Sequence, residues 1–83
     1  MKISYTPIGV CSRQINIEVD DDGIVQDVEF IGGCNGNLKG IGALVKGMTV
    51  EQVIEKLENI TCGYKSTSCP DQLAKALKQA MAQ

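Results

Sequence analysis

Apolar residues recur with one period up to Gly32 and with another beyond it, and that single change limits the fold to a sheet built first and helices packed on it afterwards. Lys2 to Pro7 places Ile3 and Tyr5 on one side, and Arg13 to Asp20 alternates Ile15, Ile17 and Val19 with Asn16, Glu18 and Asp20. Such period-2 alternation marks half-buried strands. Asp20-Asp21-Asp22-Gly23 supplies a turn, after which Ile24 to Ile31 carries Ile24, Val28 and Phe30 on one face and Asp27 and Glu29 on the other. The two central strands are therefore expected to form an antiparallel hairpin.

Beyond Gly32 the spacing is helical. Leu38, Ile41, Leu44 and Val45 form a stripe ending at Gly47, a C-terminal cap, although Gly40 and Gly42 each weaken a helix by about 1 kcal/mol relative to alanine. Close packing on the sheet is the alternative use for those two glycines. Thr49-Val50-Glu51-Gln52 is a capping box, followed by Val50, Val53, Ile54 and Leu57 and an end near Asn59. Ser68 caps a third helix, with Asp71 expected to reach back to it and Leu73, Ala76, Leu77, Ala80 and Met81 facing inward. The expected architecture is a single α+β domain over residues 1–83, a three-stranded antiparallel sheet followed by three helices packed on one face.

The chain has four cysteines and no histidine. A site for a soft metal or for electrons must therefore be made of Cys11, Cys34, Cys62 and Cys69. None lies within an apolar periodic face, where an inert packing cysteine belongs. Cys11 precedes the second strand, Cys34 sits between the third strand and the first helix, Cys62 follows the second helix and Cys69 opens the third. Cys34 and Cys69 stand at helix N-termini, where unpaired amides and the macrodipole favour a negatively charged sulfur. No pair has the Cys-x-x-Cys spacing of a zinc ribbon or a thioredoxin-type couple. Four thiolates close a tetrahedral shell, so the expected centre is zinc or an iron-sulfur cluster held by a protein that is not an enzyme.

Two other readings stay open. In one, the cysteines are redox thiols that exchange electrons with a partner such as a thiol reductase. In the other, the loop Gly32-Gly33-Cys34-Asn35-Gly36-Asn37-Leu38-Lys39-Gly40 cradles the phosphate of a nucleotide or flavin, with Gly33, Asn35, Gly36 and Asn37 as its contacts. That loop lacks the Gly-Lys-Ser/Thr ending of a phosphate loop, and a tight turn that carries Cys34 inward explains its glycines as well.

Composition excludes other classes. Ten acids against eight bases, no basic stripe and only Tyr5, Phe30 and Tyr64 as aromatics argue against nucleic acid. The N-terminal segment alternates polar and apolar residues instead of forming the apolar core of a secretory signal, and no stretch is long enough to span a membrane. A cytoplasmic location is expected, where cysteines serve as ligands or redox groups more often than as structural disulfides. The exposed edge of a three-stranded sheet makes a homodimer the expected assembly.

Thr67-Ser68-Cys69-Pro70-Asp71 spells the signature of TSCPD domains. With Gly9-Val10-Cys11-Ser12, Gly32-Gly33-Cys34-Asn35-Gly36 and Thr61-Cys62-Gly63, the chain resembles the stand-alone, four-cysteine branch of that family over nearly its whole length. Related domains end cobalamin-dependent ribonucleotide reductases, so the resemblance implies cysteine-bound metal and a partner such as ribonucleotide reductase. The order of elements is also distantly similar to iron-sulfur assembly scaffolds of the NifU N-terminal type, whose three cysteines fall on Cys11, Cys34 and Cys69. Arg13 stands where those scaffolds have an acidic residue and Ser68 where they have a histidine, and Cys62 is an additional thiol.

Overall fold

A computed structural model describes residues 1–33 and 35–82. Strands β1 (Lys2–Tyr5), β2 (Ser12–Val19) and β3 (Val25–Gly32) form an antiparallel meander in that order, and helices α1 (Asn35–Val45), α2 (Val50–Leu57) and α3 (Cys69–Met81) follow. This is the expected α+β arrangement. Ile15, Ile17 and Val19 of β2 and Val25 and Val28 of β3 are buried against Val45, Val50, Val53, Leu73, Ala76 and Leu77 of the helices. The other face of the sheet exposes Ser4, Glu18, Asp27 and Glu29.

Two bulges break the period-2 pattern, and each changes which residues face the core. Glu18 pairs with Asp27 but Val19 pairs with Val25, leaving Gln26 as an extra residue. Val25 is consequently fully buried in place of the expected Ile24, which instead bridges to Thr49 and ties the α1–α2 connection to the start of β3. At the other end Ser12 pairs with Gly32 and Gln14 with Ile31, so Arg13 is the extra residue. Simple alternation would turn Arg13 inward, but the bulge exposes it and buries Ser12.

Helix α1 starts earlier than its apolar stripe indicated, so Asn35 to Gly40 are helical and the expected glycine-rich loop is confined to its first residues. Its packing rests on Gly42: a Cβ there would stand 2.8 Å from the Val28 carbonyl oxygen, whereas a Cβ on Gly40 would meet nothing within 4 Å. Gly42→Ala is therefore expected to destabilise the fold by about 2 kcal/mol despite the better helix propensity, and Gly40→Ala to stabilise it by up to about 1 kcal/mol. Urea unfolding of the two variants checks the opposite signs. Two expected core residues are outside: Leu44 is 77% exposed and Met81 41% exposed.

The capping box of α2 forms as expected, with Thr49 accepting from the Gln52 amide and the Gln52 side chain accepting from the Thr49 amide. At α3, Ser68 Oγ accepts from the Asp71 amide at 3.2 Å, but the Asp71 carboxylate is used elsewhere.

In the β2–β3 turn, Asp20 Oδ1 accepts from the Ile24 and Asp22 amides and Oδ2 from the Gln26 side chain. The Ile24 amide is the main cause of a carboxyl held below the ordinary value of 3.8, against an opposing desolvation effect, with Asp22 and Gln26 adding to the lowering. Between the folded and unfolded values only the unfolded chain holds the proton, so this stabilisation is present above 3.8 and is lost as pH falls through the lower folded value. The stability difference between wild type and Asp20→Asn, measured by urea unfolding, should be full near neutral pH and close on acidification below that point.

Following the chain, the β1–β2, β3–α1 and α2–α3 connections lie at one end of the sandwich, and the Asp20 turn and the α1–α2 connection at the other. Among the described residues no helix is long and apolar enough to cross a membrane.

Candidate functional site

The end that gathers those three connections holds a cleft of about 450 Å³, lined by Cys11, Cys62 and Cys69 together with Asn37, Leu38, Ile41, Ser68 and Pro70. Each sulfur arrives on a different connection. Cys11 comes from the β1–β2 loop, Cys62 from the α2–α3 loop, and Cys69 is the first residue of α3. Cys34 lies outside the described residues. Gly33, which precedes it, has a φ of 79°, and a Cβ there would stand 3.0 Å from Leu38 Cδ1 and 3.2 Å from both Cys11 Sγ and the Ser12 amide nitrogen. Only glycine supplies both that backbone and that space.

The thiols differ in surroundings. Cys11 and Cys62 are exposed, and Cys69 is buried with its sulfur 3.2 Å from Ser12 Oγ. The Arg13 bulge is what turns Ser12 toward Cys69, a placement that residue alternation could not reveal. The α2–α3 loop is closed by backbone bonds from the Cys62 amide to the Thr67 carbonyl at 3.2 Å and from the Lys65 amide to the Cys62 carbonyl at 3.0 Å.

Of the residues expected to cradle a phosphate, Gly33 abuts Cys11, while Gly36 and Asn37 are exposed in the first turn of α1, with Asn37 on the cleft. Asn35 begins that helix.

Beneath the cleft lies a polar cluster that the sequence pattern did not disclose. Asp71, fully buried, accepts from the Asn59 amide at 2.7 Å, from Thr67 Oγ1 at 2.5 Å and from the Lys75 ammonium. Burial pushes its carboxyl up, but the bonds from Lys75, Thr67 and Asn59 and the Lys75 charge outweigh that and hold it below the usual carboxylate value. Ser68 Oγ donates to the Ile60 carbonyl at 2.5 Å. Gln72 bonds Thr67 on one side and the Ile8 amide and Tyr5 hydroxyl on the other. The one available signal was the polar run Thr67, Ser68, Asp71, Gln72 around a helix start, more polar groups than a single cap uses.

The donor chemistry suits a soft ion: three thiols on one cleft, with a hydroxyl on one sulfur. By themselves the described residues hold no group of three or more cysteine, aspartate or glutamate side chains that could bind a metal ion. No curated protein and no solved structure matches the chain. Its sequence matches the TSCPD domain over residues 1–81. With Cys11, Cys62 and Cys69 on one cleft and Thr67, Ser68 and Asp71 bound into a single cluster beside Cys69, the chain belongs to the TSCPD domain family.

Proposed function

We propose that this protein holds one metal centre through Cys11, Cys34, Cys62 and Cys69. The observation that carries the reading is the convergence of Cys11, Cys62 and Cys69 on one cleft from three separate connections. Gly33 and Asn37, which flank Cys34 in the sequence, border the same region. A four-sulfur shell requires Cys34 and a tightening of the connections around the ion, so ligand binding and ordering of this end are one process. Bound zinc would serve a structural or regulatory role, and an iron-sulfur cluster would add storage, transfer or electron transfer.

The reading places the chain in the four-cysteine branch of its family, with ribonucleotide reductase or iron-sulfur metabolism as its setting. It has a distant likeness to NifU-type scaffolds at Cys11, Cys34 and Cys69. Arg13 and Ser68 replace the acid and histidine of those scaffolds, and Cys62 supplies a further ligand, which favours retention of the centre over its release. The exposure of Cys11 and Cys62 favours a second reading, a thiol redox protein whose loop cysteines exchange with a partner's thiols.

Elemental analysis, an absorption spectrum and a thiol titration on anaerobically purified protein separate the two. One equivalent of zinc with thiols unreactive until a chelator is added, or visible absorption with iron and sulfide, is the expected result. Metal-free protein whose thiols cycle with a dithiol reductant would support the redox reading instead.

A further inference from the structure

We infer that Gln72 is a positioning residue for the metal centre, a clip that fixes the Cys11 loop against the Cys69 segment. The inference rests on the proposed metal-binding reading and goes beyond it by assigning a role to a residue that carries no ligand.

Gln72 is 5% exposed and lies one turn into α3 from Cys69. Its Oε1 accepts from the Ile8 amide at 3.1 Å and from the Tyr5 hydroxyl at 3.4 Å, holding the start of the β1–β2 loop three residues before Cys11. Its Nε2 donates to Thr67 Oγ1 at 3.0 Å, two residues before Cys69, and the Thr67 hydroxyl in turn donates a hydrogen bond to the Asp71 carboxylate at 2.5 Å. Asp71 in turn accepts from the Asn59 amide, at the start of the loop that carries Cys62. One chain of bonds thus runs through the segments that carry Cys11, Cys62 and Cys69.

The direction of that chain specifies the residue. The Ile8 amide can only donate, so it needs an acceptor, and the Thr67 proton is committed to the Asp71 carboxylate, so Thr67 needs a donor. An amide supplies both from one side chain. Glutamate would set a second carboxylate against Asp71 in competition for one hydroxyl proton. Asparagine is one methylene short of the span, and methionine fills the volume with no polar atoms. Groups bonded directly to a metal ligand are worth on the order of 10–100-fold in metal affinity when removed, and Gln72, which acts one step further out, is expected at the lower end of that range.

The test is cobalt(II) affinity, read from thiolate-to-cobalt absorption, in wild type, Gln72→Met, Gln72→Glu and Ile17→Val, together with apo-protein stability by urea unfolding. Ile17 is a buried core residue of β2 outside the cleft lining, so its variant shows what lost stability alone does to binding. We expect cobalt to bind Gln72→Met and Gln72→Glu at least about tenfold more weakly than wild type, with the Ile17→Val affinity within about twofold. Gln72 variants with wild-type affinity, or affinities that track apo stability across the whole set, would overturn the positioning role while leaving the metal centre intact. Absence of cobalt binding by wild type would overturn the metal centre itself, and the positioning role with it.

Discussion

Replacing Asp71 with alanine is expected to cost about 3 kcal/mol, most of the roughly 3–5 kcal/mol that a core of this size provides. The carboxylate is fully buried and accepts from a backbone amide, a buried hydroxyl and an ammonium. Removing it leaves the buried Thr67 hydroxyl proton without an acceptor, worth about 1–3 kcal/mol away from water, while the amide of the exposed Asn59 loses its partner at smaller cost. The Lys75 side chain is 46% exposed, so its charge is recovered by solvent and Lys75→Ala should cost no more than about 1 kcal/mol. Urea unfolding of the metal-free variants measures the asymmetry. Equal losses for Asp71→Ala and Lys75→Ala would mean that an ordinary surface ion pair, and not the buried cluster, sets the effect.

The second large effect is metal-linked. A ligand that binds only the folded chain stabilises it by about 4 kcal/mol when present at a thousand times its dissociation constant. Zinc-loaded wild type should therefore melt well above the same protein in chelator. Cys34→Ser and Cys69→Ser should each lose metal and most of that increment together. Without metal, Cys69→Ser should lie within about 1 kcal/mol of wild type, because serine loses only the larger, less polar sulfur and keeps a hydroxyl that can bond Ser12. A thermal scan of each variant with and without chelator reads this directly. Variants that lose metal yet keep the full chelator-sensitive increment would break the proposed link between ligation and folding.

The fold was legible because its two periods are clean. Ile15, Ile17 and Val19 alternate without interruption, and Val50 and Val53 follow a complete capping box, so local propensity and burial agree. Errors fell where a ladder gains a residue. Nothing in the side-chain pattern marks Gln26 or Arg13 as a bulge, so the burial of Val25 and of Ser12 was hidden. Leu44 belongs to the apolar stripe of α1, but Gly42 draws that helix onto Val28 along its neighbouring face and leaves Leu44 in solvent.

At the site, the boundary positions of Cys11, Cys62 and Cys69 were readable, and topology alone then brings those boundaries to one end. The polar scaffold was not. Asp71 has the spacing of a capping residue, and only the path of the α2–α3 loop shows that its carboxylate serves the Asn59 amide and Thr67 instead of its own helix start. Gln72, three residues after Cys69, has the look of any polar helical residue until the β1–β2 loop is laid against it.

Metal-edge X-ray absorption on anaerobically purified protein reads the ligand shell itself. The expected spectrum is that of one bound metal with a sulfur-only first shell, at about 2.3 Å for zinc, that loses sulfur scatterers in each cysteine-to-serine variant. A first shell of oxygen or nitrogen, or a spectrum unchanged when Cys11, Cys34, Cys62 and Cys69 are replaced one by one, would contradict the four-cysteine centre.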